Sequence, residues 1–433
     1  MSQLTEIQKD SVWGDRIEVP HESLRGETTV DVCIIGAGLA GLSVAYNLAR
    51  AGKQVIVLDD GPAGGGNTGL TTAHLASAID DRFVEIERIR GKEGARLAAE
   101  SHSAAITFIE ETARREGIDC DFMRVDGYLF VPPGERVEIL DEEDEAARRA
   151  GLTVEKVVRA PLDGFDTGPA LRFARQGQFH PLKYLRGLTK AIEQAGGRIV
   201  TGIHATSFYE DDKGVRVQTD GKASILAQSA VVATNSPVND RLTIHTKQFP
   251  YLTYALGLEV PRDSITRALY WDTLDPYHYV RQQSGGGNGN EGEMDTLIVG
   301  GEDHKTGQTA DQFDRWARLE EWARQRFPEA GRATNRWSGQ VMETFDGLGF
   351  IGRNPGNDHI YIATGDSGMG MTHGTIAGML ISDLILGKEN LWAALYDPTR
   401  KPLKALKAFG KYLSENLNSA RQYVDWVTSG QVT

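Results

Sequence analysis

The stretch TVDVCIIGAGLAGLSVAYNLARAGKQVIVLDD, residues 29–60, constrains this chain more than any other. Val30–Ile35 is an apolar, β-rich run, Leu42–Ala51 has helical spacing, and Val55–Leu58 is a second apolar run. A strand, a helix and a strand of these lengths build a parallel pair with the helix laid across it. Between the first strand and the helix stands Gly36-Ala-Gly38-Leu39-Ala40-Gly41, which matches G-x-G-x-x-G. The first glycine permits a tight turn, the second lets a pyrophosphate approach, and the third lets helix and strand pack closely. The helix N-terminus then points unpaired N–H groups at the phosphates. An acid after the second strand binds ribose hydroxyls; Asp59 directly follows that strand and Asp60 comes next, so both are candidates. The unit is a dinucleotide site.

Which dinucleotide it takes depends on the residues after Asp60. GPAGGGNTGLTTAHL, residues 61–75, offers Thr68, Thr71, Thr72 and Ala73 as hydroxyls and amides along a long, buried ligand, or as ordinary helix caps. HPLKYLRGLTKAIEQAGG has Pro181 at a helix start and Gly196 at its end. Strands come next at Ile199–Ile203 and Ile225–Ala233, so Thr234 meets the ligand at a strand end and the backbone near Ala205 reaches adenine. A second glycine bend, ATGDSGMGMTHG, occupies residues 363–374 between an apolar run and a helical one. Gly365, Gly368, Met369, Gly370, Met371 and Thr372 would aim a helix N-terminus at the pyrimidine edge of a flavin. That edge gains negative charge on reduction, whereas nicotinamide becomes neutral. Two such bends therefore favour FAD.

The chain has 433 residues, enough for two domains, and a formal charge of −13 that disfavours nucleic acid as a partner. No apolar run is long enough to span a membrane. The first residues, MSQLTEIQKDSVWGD, lack a secretory pattern, which leads to a cytoplasmic expectation. Two cysteines, Cys33 and Cys120, make neither a disulfide framework nor a metal site, so no metal is expected. The fold class expected is α/β: a Rossmann-like FAD-binding domain assembled from noncontiguous segments, beside an α+β substrate domain with an antiparallel sheet.

In order along the chain, GAGLAGLSVAYNLARAGKQVIVLD, GQFHPLKYLRGL, VVATNSP, FDGLGFIG and IATGDSGMGMTHG resemble the landmarks of FAD-dependent oxidoreductases related to D-amino-acid, glycine and sarcosine oxidases. The resemblance implies a cofactor domain from 30–79, 166–239 and 346–390 and a substrate domain from 80–165 and 240–345. Residues 1–29 would be an extension and 391–433 a helical tail. The reaction implied is oxidation of an amine or amino acid through hydride transfer to flavin, with an imine as product. TGLTTAHL and the tail resemble a bacterial subgroup carrying a C-terminal Rieske domain, whose paired cysteines and histidines are not present here. Electrons would pass to O2 or to an acceptor protein. WSGQVMET lacks the cysteine that tethers flavin in the sarcosine oxidases, so the FAD is expected to be noncovalent, with His74 and His373 as alternative tethers.

In PYHYVRQQ the alternation places Tyr277, Tyr279 and Arg281 on one face. DTLIVGGEDHKTGQ supplies the partner strand of a hairpin across the loop Ser284–Glu293. The resemblance puts that hairpin over the flavin, with Arg281 gripping a substrate carboxylate through two parallel hydrogen bonds, or simply paired within the structure. Tyr279 would shape the pocket. His304 and Lys305 follow Gly300-Gly301, where a loop could return to the ring. Met369 and Met371 would fill space around it, and Trp316 and Trp322 would pack in the substrate domain. A monooxygenase or electron-transfer flavoprotein is the alternative reading.

Overall fold

The computed structural model describes residues 11–14, 17–19, 24–221, 223–235, 247–285, 293–306 and 312–401. The expected glycine loop lies mostly outside them, as does the expected tail beyond Lys401.

Two sheets carry the fold. The first runs in the order Phe350–Arg353, Ile360–Thr364, Ser224–Asn235, Glu27–Ile35, Val55–Asp59 and Arg198–Thr201. Neighbours along this order are parallel except for the antiparallel pair formed by Phe350–Arg353 and Ile360–Thr364, and Gly214–Thr219 with Ala205–Asp211 adds an antiparallel arm to Ser224–Asn235. Its central strands are apolar almost throughout because both faces are covered; Val32, Cys33 and Ile34 in the first strand are all buried. The helix Leu39–Arg50 leaves the first strand at Gly38, and the helix Gly370–Ile385 packs against it. That packing is close: a Cβ on Gly378 would collide with Ser43. The helix Pro181–Gln194 begins on Pro181, as expected, with His180 accepting a hydrogen bond from the Lys183 amide at 3.3 Å.

The second sheet runs Ala333–Thr344, Gln248–Pro261, Met294–Lys305, His278–Gln283, Leu269–Asp272, Met123–Phe130, Ala170–Gln178 and His74–Leu75. It is antiparallel apart from the parallel pair Leu269–Asp272 and Met123–Phe130. The expected hairpin is there, with Tyr279 opposite Gly300 and His278 opposite Gly301. One boundary differs. Ala170–Gln178 falls within the cofactor segment expected to start at 166, yet it pairs with Met123–Phe130 in the second sheet, where Leu171 and Phe173 are buried. His74–Leu75 joins the same sheet, so the chain changes sheets just after the threonine-rich loop.

The helical segment Arg82–Glu116 is broken at Gly91, whose φ of 75° lies outside the helical region. The largest apolar core joins Leu42 and Tyr46 of the first helix to Ile106, Phe179, Leu185 and Ile376. A second core lies under the other sheet around Tyr254, Leu256, Val299, Trp322 and Phe327, with Trp316 packed at its margin. No described helix is long and apolar enough to cross a membrane.

Candidate active site

The ends of Glu27–Ile35, Val55–Asp59, Ser224–Asn235 and Ile360–Thr364 open on one side into a cavity of about 580 Å³, roofed by the second sheet. Both glycine bends line it: Gly36, Gly38, Leu39 and Ala40 from the first, Gly368, Met369, Gly370 and Met371 from the second. Gly36 has a φ of 107°, and a Cβ there would overlap the Ala233 carbonyl of the adjacent strand. Gly41 is not in the lining; a Cβ on it would strike the Gly36 carbonyl, so its role is the close helix–strand approach. The Leu39 amide, at the start of the first helix, donates to Thr68 Oγ1 at 3.1 Å. That helix has no side-chain cap and no acid in its first turn, so its positive end is left for a ligand. Asp59 accepts from the amides of Ala37 at 2.6 Å and Gly61 at 2.8 Å. Burial, with the Asp60 charge, raises its carboxyl, and those two amides offset only part of the rise. Asp60 also lines the cavity but is solvent-exposed, with His204 Nδ1 at 3.1 Å. Ala205, Thr234, Thr71 and Thr72 line the same space.

At the second bend, the helix Gly370–Ile385 likewise has no side-chain cap and no acid within its first turn. Asp366 precedes it, however; its carboxylate lies 2.8 Å from where a Cβ on Gly370 would stand, and burial pushes its pKa up to about 6. Gly365 and Thr372 do not reach the lining. Gly365 turns the chain with a φ of 73°, while Thr372 Oγ1 donates to the Met369 carbonyl at 3.1 Å and pairs with His102 Nδ1 at 2.8 Å. His373 lines the cavity with both ring nitrogens engaged. Its Nε2 accepts from the Gly349 amide at 3.2 Å, so Nδ1 carries the proton and donates to the Asp366 carbonyl at 2.9 Å. Burial lowers its pKa to about 4. The neutral ring ties the FDGLG segment to the bend.

The substrate-side expectations fare unevenly. Tyr279 lines the cavity beside Tyr277, and its hydroxyl meets Thr253 Oγ1 at 3.0 Å. Arg281 is not in the lining and is fully buried. Its guanidinium donates to the carbonyls of Ala73 at 2.8 Å and Phe179 at 3.3 Å and to the Gln283 amide oxygen, and lies over the Trp13 ring. The alternation holds, but the loop leading into His74–Leu75 covers that end of the strand. Arg281 thus binds the back of the loop, and Ala73, itself outside the lining with φ 57°, is held there by its carbonyl. His304 and Lys305 are also outside the lining: His304 stacks on Tyr254, and Lys305 lies over Phe249 and Tyr251. His74 lines the cavity with its ring edge to Tyr279, and burial together with the Arg281 charge lowers its pKa to about 3.

A family model described as DAO, FAD dependent oxidoreductase, matches residues 31–384. The chain belongs to this family. It is an FAD-dependent oxidoreductase. Among curated proteins it is 28% identical to YhfW of Bacillus subtilis, named a Rieske 2Fe-2S iron-sulfur protein, over 96% of this chain and 80% of that protein. It is 27% identical to gamma-glutamylputrescine oxidoreductase of Escherichia coli over 85% of this chain and 86% of that one. Among solved structures, glycine oxidase from Geobacillus kaustophilus superposes with a TM-score of 0.71 at 20% identity, covering 86% of this chain and 99% of that chain. At that identity the superposition speaks for the fold.

The cavity of this oxidoreductase fits FAD on its own terms. It is long, begins at a carboxylate beside a strand end, passes one uncapped helix and reaches another. Its walls are closest where side chains are smallest: a Cβ on Gly38 would meet Thr68 Oγ1 at 3.1 Å, and one on Gly374 would meet the Ala40 amide at 3.3 Å. Several lining residues escaped sequence reasoning, among them Asp80, Thr253, Gln340 and Asp366. They come from four separate segments and follow no local period, so only the folded chain brings them together.

Proposed function

We propose that this oxidoreductase oxidises a carbon–nitrogen bond of an amine or amino-acid-like substrate, giving an imine. Bound FAD supplies the hydride acceptor. The protein's part is position and field. Gly36 to Ala40, Thr68 and Asp59 hold the adenosine and pyrophosphate half, and the Gly368–Met371 bend meets the flavin's pyrimidine edge. Tyr277 and Tyr279 wall the space where substrate lies, and Arg281 keeps the Thr71–His74 loop in place from behind. No strong base is required, because an amine needs only its neutral nitrogen before hydride leaves the adjacent carbon. The observation carrying this reading is that both bends and the two tyrosines share one cavity. The names of two similar proteins, glycine oxidase and gamma-glutamylputrescine oxidoreductase, agree with amine chemistry.

Noncovalent FAD is the reading favoured: Cys33 and Cys120 are buried away from the cavity and both nitrogens of His373 are engaged, which leaves His74, in the lining, as the alternative tether. Denaturing the holoenzyme and filtering it should release all its flavin. The reaction itself is tested anaerobically by mixing oxidised holoenzyme with amines and amino acids. Loss of flavin colour with an amine alone supports the reading. Reduction only by a nicotinamide nucleotide would refute it in favour of a monooxygenase.

A further inference from the structure

Beside the second glycine bend, the cavity walls carry acidic groups. Asp80 and Asp366 face the space there, and the described lining contains no lysine or arginine anywhere along its length. Its nearby histidines add no positive charge at neutral pH, since burial lowers His74 to about 3 and His373 to about 4. Behind Asp80 stand three further carboxyls: Asp81 next to it in the chain, Asp303 from Met294–Lys305 and Glu343 from Ala333–Thr344. Thr253 and Tyr277 hydrogen-bond to Asp303. Asp80 has no hydrogen-bond or ion-pair partner among the described residues, and its carboxylate abuts Gly368 of the second bend. Its surroundings are protein, yet its side chain is accessible from the cavity.

The cavity, not the carboxylates, locates the site; the carboxylates decide what enters it. A substrate carboxylate placed beside Tyr277 and Tyr279 would lose its water, face Asp80 and Asp366, and find no cation among the described walls. Adding a negative charge to this acidic recess is unfavourable wherever its carboxyls are ionised, as Asp366, raised only to about 6, is at neutral pH. An ammonium group meets the opposite situation: a carboxyl without a partner among the described residues, the Asp366 carboxylate nearby and two aromatic rings in the wall. We infer that the substrate is a cationic amine without a free carboxylate near the reacting nitrogen, of the diamine or polyamine class, and that Asp80 receives an ammonium group of it. This rests on the amine-oxidising reading above and narrows it. Asp80 is open to the cavity, and the protein around it together with the neighbouring carboxyls raises its pKa to about 8, so an ammonium group that binds there displaces a proton and leaves the carboxylate charged.

The test uses FAD-loaded protein and follows its thermal midpoint with 1,4-diaminobutane, glycine, succinate and magnesium chloride. The diamine should raise the midpoint, and the other three should leave it unchanged. Asp80→Asn should weaken diamine binding roughly tenfold or more at equal FAD content, the effect of losing one charge-assisted contact. Asp80→Glu should restore part of it, which separates lost charge from a damaged fold. The inference is overturned if glycine or succinate stabilises and the diamine does not, if magnesium matches the diamine, if nothing shifts, or if D80N binds the diamine as wild type does. Flavin bleaching decides the broader reading separately. Bleaching by amino acids but not diamines sinks this inference and leaves amine oxidation standing. Bleaching by no amine sinks the oxidation reading, while a diamine shift abolished in D80N would still establish the cation site.

Discussion

Replacing Arg281 by methionine separates two roles that the same residue could have filled. The substitution keeps a long, flexible apolar side chain and removes the guanidinium. In the structure that guanidinium supplies the Ala73 and Phe179 carbonyls and the Gln283 side chain with donors, all in a fully buried setting. Each buried acceptor left bare costs about 1–3 kcal/mol. Part of this is offset because the charge, whose pKa burial lowers to about 9, no longer has to be kept out of water. We expect a net loss of about 2–4 kcal/mol in stability. The Thr71–His74 loop should loosen with it, so FAD should dissociate several-fold faster. Urea unfolding of the apoprotein and flavin retention on gel filtration measure the two effects. If R281M instead kept its stability and its FAD while KM for substrate rose tenfold, the guanidinium would be reaching the substrate, and the account of it as a loop anchor would be wrong.

Other substitutions and conditions probe the remaining parts. Gly41→Ala drives a methyl into the Gly36 carbonyl, with an overpacking cost of about 1–3 kcal/mol, and the purified protein should carry much less flavin per chain; normal flavin content would refute the close-packing role. Trp13→Leu removes the indole N–H bonded to the Thr71 carbonyl at 2.7 Å and the ring under Arg281, so FAD affinity should fall a few-fold, read by fluorescence titration. Stability should also depend on pH in a stated direction. Burial raises Asp81, Asp303 and Asp366 to about 6 and Asp80 to about 8, from ordinary values near 4, and neighbouring carboxylates add to the rise at Asp80 and Asp81. Groups raised on folding bind more protons in the native state, so stability should be greatest near pH 4 as far as this cluster is concerned and decline toward pH 8. Arg82 near Asp81, and His278 and Arg315 near Asp303, moderate the effect, while Glu343 adds to it. The thermal midpoint of D80N should fall less steeply between pH 6 and 8 than that of wild type, and parallel curves would count against the cluster.

What could be read from the sequence was what is local. The first bend with its strands and helix spans about thirty residues, and its G-x-G-x-x-G spacing with the close approach of Gly41 to the Gly36 carbonyl is set within that stretch. The helix at Pro181 and the hairpin opposite Gly300 were legible for the same reason. The reading failed where a distant segment decides. Tyr277, Tyr279 and Arg281 do share a face, yet whether that face meets ligand or protein depends on a loop some 200 positions earlier in the chain. Likewise Ala170–Gln178 is an ordinary amphipathic strand whose sheet is chosen by Met123–Phe130, not by its own residues. The acidic wall was invisible because Asp80, Asp303, Glu343 and Asp366 are unremarkable singly. Their chemistry exists only once two sheets have closed over one space.

The strand Ser224–Asn235 lies between Glu27–Ile35 and Ile360–Thr364, and the closing bend follows the last of these. A nascent chain emerging from the ribosome therefore exposes its diphosphate cradle long before the opposite wall has been synthesised. Closing such a loop costs chain entropy before any contact is gained, and non-local pairings form late. Both bends can hold one flavin only once the chain has been made through Gly370. Until the residues around Gly370 are made, the half-finished pocket has apolar strand edges exposed and nothing to hold the isoalloxazine ring.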